Sequence, residues 1–276
     1  MRRLNHDTLL YLYGLVPSAS SLTGTADINQ GSEIFLVRHE EIACAVSRVP
    51  AQEYRGTDTR SASQHLEWVM PRAWRHHEVL SYLHTVGTVV PLKFGTLCAT
   101  VEDVRDMLVE MHKPILDLLA RFGGKDEWTL TVSVDRDALS TAVKNDDPDL
   151  LALSRQADLL PSGRAYLARK KIEQATNSAA VARIAEVEDA LFMRLVSTGL
   201  VSASVQPSPR RPGSGTMLVV NAALLMERHR FADLETSLAH FESEHSAVGL
   251  KAHLTGPWPP YSFATTFGPL TGARVN

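Results

Sequence analysis

Residues 164 to 197 contain neither proline nor glycine and are rich in alanine, which predicts one long uninterrupted helix from Arg164 to Ser197. At 1.5 Å per residue such a helix is about 50 Å long. Ala168, Ile172, Ala175, Ala179 and Ala182 follow heptad steps, and Ile184, Val187, Leu191 and Leu195 make a second stripe. Small side chains on the first seam allow close approach of another helix, so this rod is either covered on two sides or forms half of a coiled-coil pair. Gly199 ends it.

The residues before this helix alternate between strand and helix signals. Thr8–Val16 is short and apolar and includes Tyr11 and Tyr13, which suits a buried strand better than a leader peptide, despite the preceding Arg2-Arg3. Glu33–Val37 and Ile42–Ser47 read as neighbouring antiparallel strands across a charged corner. Gln64–Leu83 is helical, with Leu66, Val69, Met70, Ala73, His77, Leu80 and Leu83 on one face and a break or kink at Pro71. Thr88–Phe94 reads as a strand that Pro91 confines to a sheet edge or a bulge.

Thr100 with Asp103 forms a capping-box pattern ahead of the stripe Val104, Leu108, Met111, Ile115, Leu118 and Phe122, bent at Pro114. Trp128–Val134 alternates like a half-buried strand. The order β-β-β-α-β-α-β over 1–135 predicts a ferredoxin-like mixed sheet with helices. An acidic, turn-prone linker spans 136–163. A C-terminal domain over 164–276 follows, with the order α-β-β-α-β. The chain is therefore expected to be a two-domain α+β protein.

Bulk chemistry removes several function classes. A net charge of −3 offers no general attraction to nucleic acid. Two cysteines, Cys44 and Cys98, make no disulfide framework and point to a reducing, intracellular setting. No stretch reaches the roughly 18 apolar residues of a membrane span.

Catalytic signatures are also missing. His65, His76, His77 and His84 lie in one helical region, but neighbours such as His76 and His77 point about 100° apart, and no metal is expected. Gly213–Thr216 lacks the lysine and helix start of a phosphate loop and reads as a flexible hairpin loop with Arg210 and Arg211 nearby. Cys98 precedes a helix start but has no identifiable base. Arg164, Arg169, Lys170 and Lys171 form a basic cluster, readable as a solvated helix face or as a docking face for an acidic partner. No cofactor is called for.

The stretch Leu254-Thr255-Gly256-Pro257-Trp258-Pro259-Pro260-Tyr261-Ser262-Phe263 is stiff, because proline fixes φ and removes a donor. It is expected to pack its rings as a structural pin closing the C-terminal domain, with Pro257, Trp258, Pro259, Pro260 and Tyr261 as its core. Together with Tyr11–Val16, His76–Leu80, Val90–Thr96, Gly163–Leu167 and Asn221–Ala223, this string resembles the gas vesicle protein L/F family along almost the whole chain.

The resemblance implies a non-enzymatic accessory component of gas vesicles, cytoplasmic or vesicle-associated. It implies binding to the small hydrophobic shell protein and to other accessory proteins, which limits shell-protein aggregation during assembly. The candidate contact residues are Val90, Leu92 and Phe94 on the edge strand and Arg164, Arg169 and Lys170 on the long helix. The alternative is an enzyme or small-molecule binder on a ferredoxin-like scaffold, for which His77, Cys98 and Arg164 are the residues to inspect.

Overall fold

The computed structural model describes residues 7–22, 33–54, 62–198, 202–205 and 215–264, and the side chains of these except at 62–65, 202, 204 and 205. The elements in chain order are β1 (Thr8–Pro17), β2 (Ile34–His39), β3 (Ile42–Pro50), α1 (Ala51–Tyr54), α2 (Ala62–Val86), β4 (Val90–Pro91), β5 (Leu97–Cys98), α3 (Val101–Glu110) and α4 (His112–Phe122). They continue with β6 (Lys125–Asp135), α5 (Arg136–Asp146), α6 (Pro148–Ala157), α7 (Ser162–Ser197), β7 (Ser202–Val205), β8 (Thr216–Glu227), α8 (Phe231–Glu244) and β9 (Lys251–Trp258). The chain divides into one compact unit of residues 1–127 plus 257–276 and a second of 128–256.

The first unit holds a sheet in the order β2-β3-β1-β4, with β5 also on β1, and every described pairing is antiparallel. This is the strand order of a ferredoxin-like sheet, antiparallel rather than mixed. β1 is buried along nearly its whole length, so both of its faces are covered. Tyr11, Tyr13 and Val16 pack with Val79, Leu80 and Leu83 of α2. α3 lies against β2 and β3, and α4 against β1, β3 and β4. Gly14 is required where β1 passes α2: a Cβ there would sit 2.8 Å from Val89, 2.9 Å from Leu80 and 3.1 Å from the Val90 carbonyl oxygen.

Prolines act differently from expectation. α2 runs through Pro71 as one helix. Pro71 and Glu67 are both exposed, so the Glu67 carbonyl that loses its helical donor faces water. The predicted bend at Pro114 is instead a break at Met111, and Pro114 falls in the first turn of α4, where a missing N–H costs nothing. The capping box forms as read: the Thr100 amide donates to Asp103 at 2.8 Å, and the Asp103 amide donates to the Thr100 hydroxyl at 3.1 Å.

In the second unit the sheet order is β7-β8-β6-β9. Numbered from its own first strand, that is the same 2-3-1-4 permutation as in the first unit. The two halves therefore share a layout that no tandem sequence repeat announces. Its core joins Leu130, Val132 and Val134 of β6 to Leu191 and Leu195 of α7 and to Leu234, Leu238 and Phe241 of α8. Trp128 and Phe231 stack at 4.2 Å. Residues 136–163 are no linker: α5 and α6 occupy most of that span and pack on α7.

The 36-residue α7 is the predicted long helix. Its second stripe is buried at Ile184, Val187, Leu191 and Leu195, whereas Ala175 and Ala182 of the expected first seam are exposed. β9 extends into Pro257-Trp258, which proline permits at a sheet edge.

Candidate partner-binding surface

Sequence strings far apart in the chain converge in the first unit. The Gly95 amide donates to the Tyr11 hydroxyl at 3.0 Å, and that hydroxyl lies 3.0 Å from Nδ1 of His76. The hydroxyl, with one proton and two lone pairs, can accept from Gly95 and bond the imidazole at the same time. The ring also makes a hydrogen bond with the Leu92 backbone. Burial lowers the His76 pKa to about 4, the Leu92 bond opposing the shift, and keeps the imidazole neutral. Tyr13 stacks on the same ring and Phe94 meets it edge-on.

Backbone bonds complete the seam: Leu92 N–H to Tyr13 C=O at 3.0 Å and Leu12 N–H to Thr96 C=O at 2.9 Å. Gly95 adopts φ 82°, the left-handed conformation that turns the string back towards β1. The Val90–Thr96 string thus fastens the sheet edge.

A second convergence involves the proline run. Pro259, Pro260 and Phe263 are buried within the first unit, so the pin closes that unit and not the C-terminal domain. His77 Nδ1 lies 2.9 Å from the Tyr261 hydroxyl, and its ring is 5.6 Å from Trp258. Glu127 accepts both the amide and the hydroxyl of Ser262 at 2.8 Å. Burial raises the Glu127 pKa while the Ser262 bonds oppose the shift. Trp258 itself is half-buried. His84 and Asp126, 2.7 Å apart and both buried, tie the end of α2 to the start of β6.

The expected contact residues separate into two groups. Val90 is 0% exposed and Leu92 6%, so their side chains fill the core and a partner cannot touch them in the folded chain; Phe94 is 37% exposed. Arg164, Arg169 and Lys170 are exposed on the first turns of α7 in the second unit, beside exposed Tyr166 and Leu167. Arg169 pairs with Asp158 at 3.4 Å.

The residues of the enzymatic alternative are divided between the two units, and the two in the first unit hold structural places. His77 is engaged with Tyr261, and Cys98 is buried with its thiol pushed up to about 11, the wrong direction for a nucleophile. Arg164 belongs to the other unit. A cleft of about 230 Å³ in the second unit is lined by Lys144, Asp158, Arg169 and the buried Thr176, and takes in none of the three. The Gly213–Ser214 loop and Arg210–Arg211 lie outside the described residues.

The apolar face read on α2 does not stay together in the structure: Val69, Leu80 and Leu83 turn inward while Leu66 and Met70 do not. Leu66, Met70 and Trp74 recur every four residues on α2 and are 59%, 59% and 65% exposed. Trp68 and Arg72, between them, face inward: the Arg72 guanidinium lies 4.6 Å over the Trp68 ring and pairs with Glu53 at 2.7 Å. The outward row continues through rings, with Trp74 6.0 Å from His77 and His77 5.6 Å from Trp258. Trp, Met and Leu thus form an exposed apolar row, where scattered single apolar side chains are the usual surface pattern.

Comparisons with known proteins agree with these strings. Residues 9–265 match the family described as gas vesicle synthesis protein GvpL/GvpF. The chain is 29% identical to gas vesicle protein L of Streptomyces sp. (strain CB03234) over 95% of this chain and 94% of that one. It is 25% identical to gas vesicle protein L of Haloferax mediterranei over 90% of this chain and 74% of that one. The crystal structure of the gas vesicle protein GvpF from Anabaena sp. PCC7120 superposes with a TM-score of 0.68 at 17% identity, covering 95% of this chain and 100% of that one, so the fold is shared. Among the described residues no helix is long and apolar enough to cross a membrane. The chain belongs to the GvpL/GvpF family of gas vesicle synthesis proteins.

Proposed function

We propose that this protein is an accessory factor of gas vesicle assembly that holds the small, hydrophobic shell protein in the cytoplasm and limits its aggregation before the shell grows. Family membership gives the biological setting. The observation that carries the binding role is the exposed row Leu66, Met70 and Trp74, which ends at the half-buried Trp258. An apolar helix laid along this row would cover side chains at four-residue spacing, the geometry of helix-in-groove recognition. Phe94 on the sheet edge is a further contact candidate. Arg164, Lys170 and their neighbours Tyr166 and Leu167 suit an acidic accessory protein, because that patch combines charge with aromatic area.

Co-expression with the shell protein tests the reading. The unaltered chain is expected to raise the soluble fraction of shell protein, and a Met70→Lys/Trp74→Lys variant to lose most of that effect while remaining soluble itself. Equal solubilisation by both would remove the α2 row from the account.

A further inference from the structure

A cluster outside that row has the composition of a metal site. β2 and β3 are joined by a two-residue turn, since His39 pairs with Ile42 and leaves Glu40-Glu41 between them. The tip of this hairpin meets His112, the first residue of α4, 71 residues beyond Glu41. His112 Nε2 is 3.1 Å from a Glu41 carboxylate oxygen and 3.3 Å from one of Glu40. The His39 and His112 rings stand nearly perpendicular, at 83°, with centroids 5.5 Å apart. One ligand atom each from His39, Glu40 and His112 lies within 4.8 Å of the others. Glu40 has a φ of 48°, in the left-handed region that non-glycine residues seldom enter.

We propose that His39, Glu40 and His112 bind a divalent transition-metal ion of the zinc class, with Glu41 supplying a fourth oxygen. Two imidazoles and one or two carboxylates are a donor set that such ions take, at metal–ligand distances of about 2.0–2.2 Å. A tetrahedral ion asks for ligand atoms about 3.4 Å apart, by the same bond lengths. The two carboxylate contacts on His112 already have that spacing. The remaining contraction is in the distances to His39, and Glu40, whose side chain is exposed, can follow it without disturbing the core.

Two carboxylates outweigh the unfavourable positive end of α4 for an incoming cation. Bound metal would staple the hairpin tip to the α3–α4 corner, reinforcing the ion pairs of His112 with Glu40 and Glu41.

The test is zinc titration of the untagged, chelator-stripped full chain against a chromophoric competitor, with melting followed in parallel. One zinc per chain is expected, together with a higher melting temperature in its presence. His39→Gln and His112→Gln are expected to weaken binding at least about tenfold each and to abolish the zinc-dependent shift, while keeping the circular dichroism of the parent. His240→Gln is the control, because His240 sits 3.0 Å from Glu244 in an ordinary exposed pair and should leave binding unchanged. Absence of saturable binding, or saturable binding that survives His112→Gln, overturns the proposal and leaves an ion-pair cluster only.

Discussion

The Tyr11 hydroxyl lies 3.0 Å from Nδ1 of His76, 65 residues away, and this bond joins the central strand of the first sheet to α2. Because the same hydroxyl accepts from Gly95, three distant strings are locked through one oxygen. The strings that announce the family are thus, at this seam, parts of its internal fastening, and the exposed row proposed for a partner is made of other residues of α2.

Acid should loosen this seam. The His76 pKa falls from 6.5 in the unfolded chain to about 4 in the folded one. Between those values the unfolded state binds the extra proton, so stability falls as pH drops from about 6.5 to 4 and levels off below, by at most about 3 kcal/mol. Glu127 contributes with the opposite sign, since its carboxyl pKa is raised on folding. Urea denaturation of the parent and of His76→Gln across this range separates the two. The parent should show the loss, and the variant should lack it.

Gly14→Ala should destabilise the first unit by about 1–3 kcal/mol. The added methyl meets Val89 and Leu80 inside 3.0 Å and approaches the Val90 carbonyl at 3.1 Å, so the whole β4 edge has to give. Chemical denaturation measures the effect, and an unchanged midpoint would show that the edge yields freely.

Trp258→Ala should cost about 2 kcal/mol, short of a fully buried tryptophan, because the ring is only half-buried. The more specific expectation is local. Amide exchange over residues 257–264 should accelerate before the rest of the chain opens, since the ring, His77 and Tyr261 hold this segment together.

Much of the architecture was legible because local rules governed it. The absence of proline and glycine from residues 164–197 predicted α7, and Thr100 with Asp103 predicted a cap that forms bond for bond. Errors arose where tertiary context decides. The acidic stretch at 145–149 resembled a linker, yet Asp147 caps α6 by accepting from Asp149 and Leu150, and Pro148 sits in its first turn. Apolar spacing put Leu66 and Met70 on one face with Leu80 and Leu83, yet the first two are exposed, because periodicity reports a face and not what covers it. Val90 and Leu92 looked like an open edge, but burial had turned them inward. The His39–His112 juxtaposition was out of reach, since a hairpin tip and a helix start meet only in three dimensions.

The central claim is that the α2 row binds the shell protein while the Tyr11–His76 seam holds the fold. Affinity for purified shell protein and thermal stability, measured on the same variants, test it most directly. Met70→Lys/Trp74→Lys is expected to lose affinity at least about tenfold, the loss of about 1.4 kcal/mol or more that buried interface anchors produce, with its melting temperature unchanged. Tyr11→Phe is expected to lose about 1–3 kcal/mol of stability and, below its transition, to bind as the parent does. Undiminished binding by the α2 variant would contradict the account.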